Sequence, residues 1–157
     1  MKKLFLCLSL LLAVFTTAAA QIDTSKEYRI KYTVQATTGD QAKYMNIRSY
    51  GSYPTGPIGG INFVDYAESD EQIFSFEASG TDYKLKAKVG KYIYCQQWNV
   101  DALTKKSPLT FVSMGDNNYY IMNGTQYIKV EAVGGVYYPF CDAPSNLKAT
   151  WTLEPII

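Results

Sequence analysis

The sequence repeats one order of short segments three times, and such self-similarity restricts the possible folds more than any single motif does. Each copy begins with Tyr-x-Ile/Leu, continues with Lys/Gln-Tyr-apolar-x-apolar and closes with an aromatic segment. These segments start at Tyr28, Lys43 and Ile73 in the first copy, at Tyr83, Lys91 and Leu109 in the second, and at Tyr119, Gln126 and Thr150 in the third. The repetition predicts three copies of one unit, with boundaries at 22–80, 81–115 and 116–157.

The alternation of apolar and polar residues predicts strands rather than helices. Beyond the first twenty residues, no stretch keeps apolar residues at helical spacing for two turns, and short alternating runs lie between turn residues instead. Asn123-Gly124 separates two such runs and is typical of a hairpin. We expect about four strands in each copy. The third strand is expected at 59–66 and 135–140, whereas the second copy is short and polar at 99–108.

The first twenty residues have the pattern of a secretory signal peptide. Lys2 and Lys3 precede an apolar run from Leu4 to Phe15, and small residues end at Ala20. A transmembrane anchor is the competing interpretation, but the apolar run is shorter than the ~20 residues that span a bilayer. The sequence therefore predicts cleavage between Ala20 and Gln21 and a secreted or periplasmic single domain, residues 21–157, without membrane insertion.

Composition excludes several classes of function. The chain has 15 Lys+Arg and 14 Asp+Glu, so it lacks the basic excess that nucleic-acid binding needs. It has no His, which removes Ser-His-Asp and Cys-His catalysis and the usual zinc ligands. The acidic residues at 65–71 fit a solvated turn better than a calcium loop or a catalytic carboxylate pair. We expect a protein that is not an enzyme and needs no cofactor or metal.

Two cysteines remain after cleavage, Cys95 and Cys141. An exported chain with two cysteines permits one disulfide. Cys95 also occupies the position of Ile47 and Val130 in the other copies, where a buried side chain is expected. The sequence leaves both interpretations open.

Three copies of four strands, each beginning with Tyr-x-Ile/Leu and ending in an aromatic strand, resemble the β-trefoil, and the Lys-Tyr-apolar-x-apolar segments with Ile-Phe or Trp at the end are similar to the ricin-type lectins. This resemblance covers almost all of residues 21–157. It implies an all-β, pseudo-three-fold barrel capped by hairpins, and a non-catalytic module that binds carbohydrate.

The resemblance places a sugar site in the first copy. Ricin-type repeats end in Gln-x-Trp, which Gln72-Ile73-Phe74 matches with Phe for Trp. The Asp that binds sugar in that family falls on Asn46, the third strand offers Asn62, and Val64 stands at the aromatic position. Ligand-binding residues implied in this copy are Asn46, Asn62, Glu71 and Gln72, with Tyr66 as a substitute for the stacking ring. Binding is expected to be weak because Asn replaces the charged acceptor.

The other two copies depart further from the lectin pattern. Tyr94 and Lys129 stand at the Asp position, and neither copy closes with Gln-x-Trp. The closing aromatics Phe74, Phe111 and Trp151 are expected to fill the barrel core.

Aromatic residues in predicted loops support an alternative function. Tyr50 and Tyr53 lie in the Gly- and Pro-rich loop 49–60, and Trp98, Tyr137 and Tyr138 lie in or beside other predicted loops. Such rings suit sugar stacking or a protein interface. The partner is therefore a glycan or an extracellular protein, the latter bound as a protease-inhibitor-like trefoil would bind through loop 49–60. The ligand and the oligomeric state are left open.

Overall fold

The computed structural model describes residues 21–34, 41–48, 60–96, 99–103, 106–143 and 149–157. In these ranges the chain forms strands and one short 3-10 turn, Asp70–Gln72, and no α-helix. Accordingly, no helix of the described part is long and apolar enough to cross a membrane. The predicted all-β class is confirmed.

The described ranges contain twelve strands, and four of them fall in each predicted copy. They are β1 Glu27–Val34, β2 Gln41–Ile47, β3 Ile61–Val64, β4 Phe74–Ser79, β5 Asp82–Ala87, β6 Tyr92–Gln96, β7 Asn99–Leu103, β8 Thr110–Gly115, β9 Asn118–Asn123, β10 Gln126–Val133, β11 Val136–Ala143 and β12 Trp151–Pro155. Strict alternation of buried and half-buried residues in β5 shows why these segments form strands with one face on a core. The three-fold relation among Tyr44, Tyr92 and Tyr127 stays a prediction.

The strand pairings of the described ranges are antiparallel. Strand β1 brings the first copy into contact with β12, the last strand of the third copy. Tyr28 to Tyr32 pair with Pro155 to Trp151 of β12, while Lys31 to Val34 pair with β2 and Glu27–Tyr28 with β4. Strand β2 pairs with β3, which contacts β11, and β11 continues to β7 and β6. The first copy is therefore held between the last strand of the third copy and the remainder of the sheet.

The core is aromatic at its centre. Trp151 and Phe74 are fully buried, and the indole of Trp151 packs at 5.2 Å from Phe63 and 5.9 Å from Tyr32 between ring centroids. Phe111 lies 5.2 Å from Phe76 in an edge-to-face arrangement. The closing aromatic residues of all three copies are thus core residues, as predicted.

The third strand of the second copy, which the sequence does not show clearly, is present. Asn99–Leu103 forms β7 and pairs with β6 from Tyr92↔Leu103 to Gln96↔Asn99. The segment 99–108 is short and polar, but pairing with β6 stabilises residues 99–103 as a strand. The strand expected at 135–140 is present as β11, which contains Tyr137 and Tyr138, and Tyr138 is buried.

Cys95 and Cys141 are both free thiols. Cys141 is buried and Cys95 packs against the core, which agrees with the interpretation of Cys95 as a core residue. A hydrogen bond with Cys141 and burial together raise the pKa of Cys95 above its usual range. The thiol of Cys95 is therefore favoured over the reactive thiolate in the folded chain.

Candidate functional site

The outward face of β2 and β3 carries the two predicted asparagines side by side. Met45 and Ile47 of β2 point into the core, so Tyr44 and Asn46 point outward, and Asn62 of β3 is the direct partner of Asn46. The Asn46 Nδ2 donates to Asn62 Oδ1 at 3.0 Å and to the Ile47 carbonyl at 3.3 Å. The structure therefore joins two residues that are sixteen positions apart.

This amide pair leaves one acceptor and one donor without a partner among the described residues. Asn46 uses both hydrogens of its Nδ2, and its Oδ1 stays open. Asn62 accepts through Oδ1, and its Nδ2 stays open. A hydroxyl group can donate to the first and a neighbouring hydroxyl can accept from the second, which is the pattern that vicinal diols offer.

Tyr66 lies on the same side, just beyond the end of β3. Its side chain is 52% exposed, although it is a large aromatic ring. The guanidinium of Arg29 lies 4.9 Å from the centroid of the Tyr66 ring, and Tyr44 approaches it at 5.5 Å in an edge-to-face contact. Arg29 Nε is buried. The ring is thus supported from behind while much of it faces solvent, which is the requirement for a stacking platform.

Gln72 has a different position from the other predicted residues. It is fully buried, its Oε1 accepts from the Ala67 amide at 2.9 Å, and its Nε2 donates to the Asp65 carbonyl at 2.9 Å. Both ends of its amide are therefore bound to the backbone of the β3–β4 connection. This arrangement fixes the segment that carries Tyr66, so Gln72 positions the site rather than facing it. Glu71, next to it, is half-buried in the 3-10 turn.

Two ion pairs lie near the outward face of β2 and β3. Lys43 Nζ lies 2.6 Å from Asp65 Oδ1, and Lys31 is paired with Glu154. Hydrogen bonding to Glu154 raises the pKa of Lys31 above its ordinary value, and burial, assisted by Glu154, raises the pKa of Tyr44. Each of these carboxylates is compensated by a lysine, so none adds an unpaired negative charge to the Asn46–Asn62 region.

Some predicted site residues lie outside the described part of the chain. These are Tyr50 and Tyr53, together with the loop 49–60 except Gly60, and Trp98. Their part in binding stays a prediction. The residues on either side of segment 49–59 are hydrogen-bonded: the Arg48 amide donates to the Gly60 carbonyl at 2.9 Å. This bond lies next to the Asn46–Asn62 pair.

The equivalent positions of the second and third copies are occupied differently. Tyr94 is buried, and Lys129 is paired with Glu131 at 2.8 Å. In the described part of the chain, no group of three or more His, Cys, Asp or Glu side chains could hold a metal ion. A cavity of about 200 Å³ lies between the N-terminal segment and the third copy, lined by residues that include Ile22, Tyr28 and Asn117. No predicted site residue lines it.

Sequence reasoning did not identify Arg29, Tyr44 and Arg48 as parts of this surface. Arg29 and Tyr44 meet Tyr66, and Arg48 follows Asn46 by two residues. The alternation along β2 indicates the outward position of Tyr44, and Arg48 follows directly after that strand, so the sequence already carried a signal for both residues. Arg29 reaches Tyr66 only through the tertiary fold, and no local pattern reveals it.

Comparison with known proteins gives the fold. No family model and no curated protein matches the sequence. Among solved structures, the chain is similar to the BEL β-trefoil (13% identity, TM-score 0.63, covering 88% of this chain and 99% of that one). It is also similar to the ricin B-like lectin of Macrolepiota procera, solved in complex with lactose (14% identity, TM-score 0.56, 85% and 98%).

A third similar structure is an endo-β-galactosidase from Clostridium perfringens that releases GlcNAcα1-4Gal (16% identity, TM-score 0.59). The match covers 84% of this chain but 33% of that one, so the chain spans about a third of the enzyme's length. With antiparallel strands throughout the described ranges, an aromatic core and these neighbours, the chain has the β-trefoil fold that the resemblance of its repeated segments implied.

Proposed function

We propose that this chain is a non-catalytic, exported carbohydrate-binding module, and that it binds sugar on the outward face of β2 and β3. The observation that supports this most is the Asn46–Asn62 pair, which offers one open acceptor and one open donor beside the exposed ring of Tyr66. A sugar needs both kinds of group, because its hydroxyls bond in the ring plane while its apolar face packs on an aromatic side chain.

The geometry is compatible with one sugar ring. Tyr44, which contacts Tyr66, and Asn46 are two residues apart on β2, a separation of roughly 7 Å along the strand. A ring stacked on Tyr66 can therefore direct adjacent hydroxyls to the two amides. The lectin solved with lactose has this fold, which supports galactose-containing sugars as first probes.

The affinity is expected to be on the order of millimolar, about −4 kcal/mol. Two neutral hydrogen bonds contribute ~1 kcal/mol each after the loss of water, and one stacking ring adds a similar amount. A family member with Asp at the position of Asn46 gains a charge-assisted bond that this chain lacks.

The test is calorimetry or NMR titration of residues 21–157 with lactose. The double variant Asn46→Ala/Asn62→Ala should lose detectable binding and keep the barrel, because removing both partners leaves no buried amide unsatisfied. Tyr66→Ala should weaken binding by about tenfold, whereas Tyr66→Phe should bind like the parent because it keeps the ring.

A matched control is Asp82→Ala/Thr110→Ala, which removes a cross-strand pair of 2.8 Å from the second copy. It should bind lactose as the parent does. Unchanged binding by the Asn46/Asn62 double variant would contradict the proposed site. If no sugar binds the parent, the protein-binding alternative through loop 49–60 takes its place.

A further inference from the structure

Arg48 is a cation on the same face without an anionic partner in the described part of the chain. It follows Asn46 by two residues, directly after the end of β2, and its guanidinium lies 5.9 Å from the centroid of the Tyr138 ring. Tyr138 is a buried residue of β11. The planar group is therefore held in place by an aromatic ring, and its hydrogen-bond donors are not used by a carboxylate.

The neighbouring carboxylates are already neutralised. Asp65 is paired with Lys43, Glu154 with Lys31, and Glu131 with Lys129. Glu68 and Glu71 have no ion-pair partner among the described residues, but they belong to the β3–β4 connection, which begins at the opposite end of the strands from Arg48. Among the described side chains, Arg48 therefore contributes a positive charge that no carboxylate neutralises at this end of the face.

The distance between the two ends exceeds one sugar ring. Tyr44, at the Tyr66 end, and Arg48, directly after β2, are four residues apart, which corresponds to roughly 13 Å of extended backbone. A ligand that stacks on Tyr66 and extends past the asparagines therefore brings a second group toward Arg48. A carboxylate or sulfate in that place would make a bidentate, charge-assisted contact with the guanidinium.

Resting on the proposed function, we infer that this site selects acidic glycans, with a neutral sugar at Tyr66 and a carboxylate or sulfate group at Arg48. The neutral part supplies recognition by the amides, and the anion supplies most of the additional affinity. Carboxylate and sulfate share the charge and the planar oxygen pair that a guanidinium binds.

Three probes that share one neutral unit test this inference: lactose, sialyllactose and sulfated lactose. The parent should bind at least one of the anionic sugars about tenfold more tightly than lactose. A preference for sialyllactose identifies a carboxylate, and a preference for sulfated lactose identifies a sulfate. Added salt should reduce this preference and leave the binding of lactose unchanged.

Two variants separate the role of Arg48 from that of the site. Arg48→Gln should bind all three sugars with the affinity that the parent has for lactose, and Arg48→Lys should keep part of the preference. The matched control is Lys106→Gln, which removes a cation that also stacks on a tyrosine, 4.7 Å from the centroid of Tyr92 in the second copy. It should behave like the parent.

The outcomes distinguish this inference from the proposed function. Equal binding of lactose and both anionic sugars by the parent, or a preference that survives in Arg48→Gln, would overturn the inference and leave the sugar site intact. Absence of binding to all three probes would overturn both.

Discussion

The buried side-chain amide of Gln72 fixes the backbone on both sides of Tyr66 in the candidate site. Its two hydrogen bonds, at 2.9 Å each, bind Asp65 and Ala67 on either side of Tyr66. In this connection, the hydrogen bonds of the buried Gln72 amide to the backbone hold the chain as the backbone bonds of a regular turn would. The exposed ring of Tyr66 is therefore positioned by a residue that no ligand needs to contact.

Replacement of Gln72 by Ala should reduce the free energy of unfolding by about 2–4 kcal/mol, because a fully buried side chain is removed and the Asp65 carbonyl and Ala67 amide each lose a partner. Urea unfolding of the two proteins measures this. The exposed residue Gln126 offers a control, since Gln126→Ala should change stability by less than about 0.5 kcal/mol. A loss of stability in Gln72→Ala no larger than that of the control would contradict this account of Gln72.

The sequence indicated several residues that lie close together in the structure, but it did not indicate the hydrogen-bond partners of each side chain. Asn46, Asn62 and Tyr66 followed from the lectin resemblance, and the structure brings Asn46 and Asn62 into contact. Gln72 was expected at the ligand, yet its amide is bound to the backbone. A motif gives the position of a side chain along a strand, whereas its direction depends on the connection that folds around it.

Tight hairpin turns set the register of β8, β9 and β10 in the third copy and at its boundary with the second. The β8–β9 turn places Asp116 and Asn117 at positive φ, 51° and 59°, and the β9–β10 turn places Gly124 at φ 59°. Two-residue hairpin loops require such conformations, which Gly adopts without strain and Asn adopts at a small cost. Register matters here because a slip by one residue would move every outward side chain into the core.

The Gly124→Ala variant should lower the free energy of unfolding by about 1 kcal/mol. An added Cβ would meet no atom within 4 Å, so the cost comes from the backbone conformation alone. In the opposite direction, Asn117→Gly should be neutral or stabilising by up to about 0.5 kcal/mol. Thermal or urea unfolding compares the three proteins, and an unchanged stability in Gly124→Ala would show that the turn is not held at positive φ.

Strands were predicted clearly where apolar and polar residues alternate regularly. They were hard to recognise where a segment is short and polar, as at 99–103. The hairpin at Asn123-Gly124 follows from its turn residues and is present as β9–β10. The segment Asn99–Leu103 has too few apolar residues to predict a strand, but β6 pairs with all five of its residues. The strand expected at 135–140 is present as β11, which contains Tyr137 and Tyr138 and pairs with β10 and β3.

The barrel as a whole keeps several tyrosine hydroxyls away from water. Burial is the main cause that raises the pKa of Tyr28, Tyr32, Tyr44 and Tyr119 above the ordinary value of 10.0. A raised pKa in the folded state means that the protonated form is favoured there. The resulting stability is complete below pH 10 and is lost as the pH rises through the folded-state pKa values.

The chain should consequently unfold more easily above about pH 10 than near neutrality. Phenolate absorbance should show part of the tyrosines ionising at a higher pH in the folded chain than in guanidinium chloride. Tyr32→Phe, which keeps the ring against Trp151 and Phe63, should lessen the alkaline loss of stability. Identical titration curves for the folded and the unfolded chain would contradict the burial of these hydroxyls.

The central claim is that sugar binds to the outward face of β2 and β3 and nowhere else on the barrel. The most direct measurement is an NMR titration of residues 21–157 with lactose up to about 100 mM, well above a millimolar dissociation constant. We expect shifts of the Asn46 and Asn62 side-chain amide resonances and of the Tyr66 backbone amide, with the second and third copies unchanged. Shifts centred on Tyr94 or Lys129, or none at that concentration, would contradict the claim.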